Sequence, residues 1–283
     1  MSASLIVLIP LVLLGLVGTL CFVGCFLDSG PYPSLFGPYQ TAIINEPSLV
    51  AYWPLNDQPP SPLAIDAVTS PGQFNGTYTA PVTLGKAGIV PGDVAPSGGT
   101  PNTCVFFNGG FVQIGFQSAL NPAAPFSIEA WVKPEWTVTD PATVRVVVAG
   151  DDPNMFTGYQ LHATAENHWA ASVGAGSQFV IAKRPASDPP TILFGQANHL
   201  VATFDGATLI IFVNGVISAQ AAMPAMSAFV PSVSPTPLSF GITSVGTPPP
   251  QSPFNGEIQD VAFYSAALDA ATILNHFKIG IGG

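Results

Sequence analysis

Apolar residues in this chain come in short runs cut by Gly, Asn, Asp and Pro, and the runs have the period of strands. From Phe126 to Val132 the alternation places Phe126, Ile128, Ala130 and Val132 on one face. Further strands are predicted over Val50–Leu55, Val144–Ala149, Tyr159–Ala163, Trp169–Val173 and Phe179–Ile181. Val105–Phe107 and Phe111–Ile114 flank an Asn108-Gly109-Gly110 turn. His199–Phe204 and Leu209–Val213 form a meander whose Asp205-Gly206 and Asn214-Gly215 pairs suit type I′ turns, in which both central residues need positive φ. Gly85–Thr103 reads as a Gly/Pro loop. Ala222–Pro253 reads as a long loop with one short strand, Leu238–Gly241. One helix is predicted, Ala270–Phe277, with Asp269 as N-cap and Leu268 and Ile273 as a hydrophobic staple across it. These elements predict an all-β fold: two packed antiparallel sheets with one short C-terminal helix.

The N-terminus has a different pattern. Leu5 to Leu27 carries no charged residue. At about 1.5 Å per helical residue it is long enough for a bilayer core of about 30 Å. Three readings stand: a retained transmembrane helix, a lipoprotein signal acylated at Cys25 within Phe22-Val23-Gly24-Cys25, and a cleaved secretion signal. The start Met1-Ser2-Ala3-Ser4 lacks Lys and Arg, which favours the anchor. The expected organisation is an anchor over 1–27, a Pro/Gly-rich extended spacer over 28–42, and the sandwich over 43–283.

Composition narrows the partners. Lys and Arg total 6 against 16 Asp and Glu, giving a net charge of −10. That excludes nucleic acid, which needs clustered basic side chains. Only 8% of residues are charged, so little self-repulsion keeps copies apart and homo-oligomers are open to it. Cys104 is the one cysteine beyond the N-terminal run, so no disulfide can form within the predicted domain.

Catalytic chemistry finds few candidates. Retaining glycoside hydrolysis on a strand needs two carboxyls about 5 Å apart, a spacing that alternate strand residues supply. The Phe126–Val132 strand offers Glu129 alone, and Glu135 lies past its end. Gly-x-Ser-x-Gly, His-Glu-x-x-His and Walker sequences are absent. His162, His168, His199 and His276 stand far apart in sequence.

Three segments, Phe107-Asn108-Gly109-Gly110 running into Phe126–Val132, Phe204–Gly215, and Phe254–Tyr264, resemble in order and spacing the laminin-G-like, concanavalin A-like jelly-roll family. The Tyr52-Trp53 strand and the closing helix fit the same resemblance. Two departures are Ser70-Pro71-Gly72-Gln73 in the Gly/Asn-rich loop, and Ala197-Asn198 where a Trp is usual. The resemblance implies a jelly-roll sandwich outside the cytoplasm that binds or displays and seldom catalyses, with Trp53, Trp131 and His199 in structural roles. It also implies a structural Ca²⁺ held by hard oxygens, for which Asp66, Asn75 and Asp260 are the candidates. Trp136, Tyr159 and Trp169 are candidates for stacking on sugar rings. The expectation is a membrane-anchored, extracytoplasmic (cell-surface) binding module for glycan or protein. The alternative is a structural surface protein assembling through homotypic contacts, and a glycoside hydrolase comes third.

Overall fold

The structure, a computed structural model, describes residues 36–69, 73–94, 99, 101–137, 139–140, 143–243 and 252–283. The run Leu5–Leu27, Cys25, and the altered loop apart from Gln73 therefore lie outside the described residues. Among the described residues no helix is long and apolar enough to cross a membrane.

The chain opens with helix α1 (Pro38–Ile44) and then runs through β1 (Leu49–Trp53), β2 (Leu63–Ala64), β3 (Gly76–Thr79), β4 (Val82–Ala87), β5 (Thr103–Asn108) and β6 (Phe111–Ile114). The central strands are β7 (Phe126–Pro134), β8 (Arg145–Ala149), β9 (Tyr159–Ala163), β10 (Trp169–Gly174) and β11 (Phe179–Ala182). There follow β12 (Asn198–Phe204), β13 (Thr208–Val213), β14 (Val216–Ala222), β15 (Leu238–Phe240), β16 (Asn255–Tyr264) and helix α2 (Ala270–Gly280).

These strands form two antiparallel sheets. One has the order β14-β13-β12-β7-β16-β5-β4, with β1 also on β16; the other has the order β11-β10-β9-β8-β15-β6-β3-β2. The inward residues of β7 meet Leu161, Trp169, Val173 and Phe240 of the second sheet in the main core. The outward face of β7 is not left to solvent. Trp131 packs there with Tyr39 and Ile43 of α1 and Ile273 of α2 in a second core. The first sheet is thus covered on both faces, so β7 is buried almost throughout although its inward residues alternate.

Local chemistry accounts for the joints. Asn214 (φ 52°) and Gly215 (φ 78°) make the expected tight β13–β14 turn. The β12–β13 turn is centred on Gly206-Ala207, one residue on from the expected Asp205-Gly206: Asp205 N–H donates to the Thr208 carbonyl at 3.3 Å, and the Asp205 carboxylate accepts from Ala207 N–H and Thr208 N–H at 2.7 Å each. Asn108-Gly109-Gly110 does not close a hairpin, since β5 and β6 belong to different sheets. A Cβ at Gly110 would stand 2.4 Å from the Pro81 carbonyl oxygen, so the crossover needs glycine. Asp269 caps α2 by accepting from Thr272 N–H at 2.7 Å, and Leu268 and Ile273 are both buried in the second core.

Two expectations are corrected. The spacer assigned to 28–42 overlaps a real element: α1 starts at Pro38 with proline in its first turn, where a missing N–H costs nothing. The C-terminal helix runs on to Gly280, three residues past the expected Phe277, because Gly280 lies flat on Trp131. A Cβ there would come within 2.3 Å of the indole. Trp131 also stacks on Phe277 (6.1 Å) and meets Tyr39 edge-on (5.9 Å). Trp131→Ala should lower stability by about 3–5 kcal/mol, the usual range for emptying a buried aromatic site, in equilibrium urea unfolding. A loss below about 1 kcal/mol would mean that the helices do not rest on this ring.

Candidate functional site

The outward positions of β7 bring Glu129 under both helices, with no solvent exposure. Its Oε1 accepts from the Tyr39 hydroxyl of α1 at 2.7 Å and from His199 Nε2 of β12 at 2.7 Å. Its Oε2 accepts from the Tyr264 hydroxyl of β16 at 2.7 Å and from His276 Nδ1 of α2 at 3.1 Å. Burial alone would push this carboxyl up. The charge of His276 and the hydrogen bonds of both histidines outweigh it and hold Glu129 well below the usual carboxylate range. In return, although burial opposes the charge, Glu129 raises His276 above the ordinary histidine value. Two of the four histidines that stand far apart in sequence, His199 and His276, therefore meet at one acid. A buried carboxylate with two donors on each oxygen holds elements together; it has no free lone pair turned toward a substrate.

A second polar cluster lies beside the first. Residue Asp260 sits at the irregularity in β16, with φ 57°, where the strand's partner changes from β5 to β1. The Tyr52 hydroxyl donates to Asp260, and Gln40 N–H of α1 reaches Asp93 Oδ1 at 3.3 Å.

The residues expected to hold calcium are arranged otherwise. Oxygen Oδ1 of Asp66 accepts from Tyr52 N–H (3.0 Å) and Val68 N–H (2.9 Å), and its Oδ2 accepts from Phe74 N–H at 2.9 Å. Asn75 Oδ1 accepts from Asp66 N–H at 2.9 Å. Asp66 and Asp260 thus address opposite ends of Tyr52, its backbone N–H and its hydroxyl. The oxygens of Asp66 and Asn75 serve a turn and Asp260 takes a phenol, and the set does not fit the open oxygen cage that Ca²⁺ needs. Among the described residues no group of three or more His, Cys, Asp or Glu could hold a metal ion.

The expected sugar-stacking rings are also placed elsewhere. Trp136, Tyr159 and Trp169 are 2%, 1% and 0% exposed, so none offers a face. The reason is register: Tyr159 and Trp169 are inward positions of β9 and β10, and Trp136 packs edge-on against Trp169 and Phe254. The Tyr159 hydroxyl is spent on the Leu120 carbonyl at 2.6 Å, and Trp169 Nε1 on Asn198 Oδ1 at 3.1 Å. Cys104 is a buried free thiol, pushed by burial up to about 12 and so unreactive at neutral pH.

A cleft of about 340 Å³ opens to solvent among the described residues at the rim of the first sheet. Its walls include Lys86, Ile89, Lys133, Gly195, Gln196 and Glu257. Lys133 Nζ is bound to Glu257 at 2.8 Å and to Glu135 at 3.0 Å. The hydrogen bond to Glu257, then that to Glu135, raises the Lys133 ammonium further above its ordinary value. Sequence reasoning missed this cleft, because its walls come from β4, β7, β16 and the approach to β12, and no motif joins them.

The match to a family model settles the lineage. Residues 107–274 fit the model described as the concanavalin A-like lectin/glucanases superfamily, of laminin-G type. The chain belongs to this superfamily. No curated protein matches it. Among solved structures, this superfamily member resembles the receptor binding domain of botulinum neurotoxin D, with 11% identity and a TM-score of 0.58 over 82% of this chain and 52% of that one. The botulinum neurotoxin serotype D ligand binding domain in complex with N-acetylneuraminic acid matches at 11% identity and TM-score 0.57, over 82% and 50%. A structure of the type C neurotoxin, whose cell entry depends on two ganglioside molecules, matches at 14% and 0.53, over 82% and 51%. The chain thus spans about half the length of these structures, and at such identities the likeness is one of fold.

The Glu129 cluster carries its own test. In Glu129→Gln the His276 ring loses its anionic partner, so NMR titration should show its pKa falling from above the ordinary histidine value to below it, as burial dictates. The pairing raises the folded-state pKa of His276, so its stabilisation is full below the unfolded histidine pKa of about 6.5. It is lost as pH rises through the raised value. An unchanged His276 titration in the variant would show that the two side chains are not paired.

Proposed function

We propose that this chain is a non-catalytic binding module of the cell surface, tethered by its apolar Leu5–Leu27 segment, and that it recognises a glycan in the cleft between Lys86 and Gln196. The observation that carries this reading is the contrast between two polar sites. The acid on the strand where a sandwich hydrolase would place its carboxyls, Glu129, is sealed and saturated. The rim cleft, by contrast, keeps polar groups within reach of solvent. Ammonium, amide and carboxylate groups around a small-residue wall suit the hydroxyls of a saccharide, which need donors and acceptors fixed in place. The sialic acid and ganglioside named for the neurotoxin structures lend support at the level of the scaffold.

Glycan-array binding with the full chain tests it. At least one saccharide class should bind, and Lys86→Ala or Gln196→Ala should weaken binding by about tenfold, the loss of roughly one charge-assisted or polar contact. Retained binding in both variants would move the site elsewhere; no binding to any saccharide would contradict the reading.

One observation favours homotypic assembly as a second reading. Strand β14, at the end of the first sheet, has neither charge nor proline, and Val216 and Ile217 are 62% and 55% exposed. Such an edge lacks the devices that block strand addition. If copies pair here, light scattering should show an oligomer that Ile217→Lys converts to monomer; a monomeric wild type would remove this reading.

A further inference from the structure

Helix α1 rests on two buried acids. Asp93 is 1% exposed and Asp260 is fully buried. Residue Gly37, which precedes the first turn of α1, lies against Asp93 so closely that a Cβ would come within 2.4 Å of Asp93 Oδ1. Asp93 accepts from Gln40 N–H, so a carboxylate from another part of the chain serves a helix end whose own N-cap has no side chain. Asp260 takes the Tyr52 hydroxyl, and the Gln40 side chain also favours its charged form. Each acid keeps one oxygen, Oδ2, without a hydrogen-bond partner. The groups that favour ionisation here are neutral donors, whereas Glu129 is partnered by two histidines.

The surroundings oppose two negative charges. On β16 and β1, Tyr264 and Tyr52 are neutral phenols; burial first, then nearby carboxylates, pushes both well above the ordinary tyrosine value. Tyr52 is acted on by both Asp260 and Asp93. On β7, Glu129 adds a further negative charge that acts on Asp260. Its histidine partners, His199 of β12 and His276 of α2, are bound to Glu129 itself. Glu46, just after α1, acts on Tyr264 and His276.

We propose that α1 is a proton-operated latch, docked while the Asp93–Asp260 pair holds a proton and released when both carboxyls are charged. The element that can yield is α1. Asp260 lies within β16 with its N–H on the Pro54 carbonyl at 3.2 Å, and the loop carrying Asp93 is tied to α2 through Gly92 N–H to the Gly280 carbonyl at 2.8 Å. A seven-residue helix such as α1 is too short to persist undocked, since isolated helices below about 12 residues are marginal. Its release would add its residues to the link between the sandwich and the apolar run Leu5–Leu27.

The direction of the response follows from linkage. Burial pushes Asp93 up to about 7, and burial together with the Asp93 charge pushes Asp260 well above the carboxylate range. An acid raised in the docked state stabilises docking fully below its free pKa of about 4, and that stabilisation is lost as pH rises through the docked value. Hydrogen exchange of the α1 amides in the full chain, corrected for intrinsic rates, reads the opening directly. Between about pH 5 and pH 7.5 the wild type should open at least about tenfold more often. Asp93→Asn keeps the acceptor for Gln40 N–H but cannot titrate, so its response over that range should be smaller than that of the wild type. Asp260→Asn should likewise respond less and serves if Asp93→Asn does not fold; the double variant, with neither acid left, should be nearly flat. His276→Gln should keep the wild-type response. No change in the wild type, or the full wild-type change in both single Asn variants, would overturn the latch.

Discussion

The arrangement of this molecule depends on one buried negative charge. Taking a carboxylate out of water is expensive unless the charge is paired and every lone pair is used. Glu129 meets that condition only because α1, β12, β16 and α2 each send one donor to it. None of these donors can be dropped cheaply, so the charge fixes where the two helices sit on the sheet. The apolar contacts around Trp131 supply area; the four-donor acid supplies register. Breaking a buried pair from one side typically costs about 3–5 kcal/mol, more than most single apolar contacts.

The same layer holds the opposite solution to the same problem. Asp93 and Asp260 are nearly as deeply buried as Glu129, but the groups that favour their charged forms are neutral donors, so burial raises both where two histidines lower Glu129. One helix therefore touches a carboxylate held low through Tyr39 and a carboxyl held high through Gln40. For the proposed binding role this matters because both polar clusters lie beneath the helices, whereas the cleft with Lys86 and Gln196 lies at the rim and stays open to solvent.

Much of the sandwich was legible in the sequence, because strand alternation and turn chemistry are local. The inward face of β7, the Asn214-Gly215 turn, the Asp269 cap and the Leu268–Ile273 staple all stand as their residues imply. Helix α1 was obscured by composition: Gly37-Pro38 reads as a spacer, although proline after a capping position also opens helices. The Glu129 cluster was beyond sequence reasoning, since Tyr39 and His276 lie 90 and 147 residues from the acid. Trp136, Tyr159 and Trp169 illustrate the converse. Aromatic identity suggested a surface role, but inward register decides in favour of packing.

The claim that Glu129 clamps α1 to the sheet is tested most directly by a double-mutant cycle. Unfolding free energies of the wild type, Glu129→Gln, Tyr39→Phe and the double variant give the coupling between the two side chains. The account predicts a coupling of at least about 1 kcal/mol, with Tyr39→Phe destabilising the wild type far more than the Glu129→Gln background. A coupling within about 0.3 kcal/mol of zero would mean that helix and acid are held independently, and would contradict it.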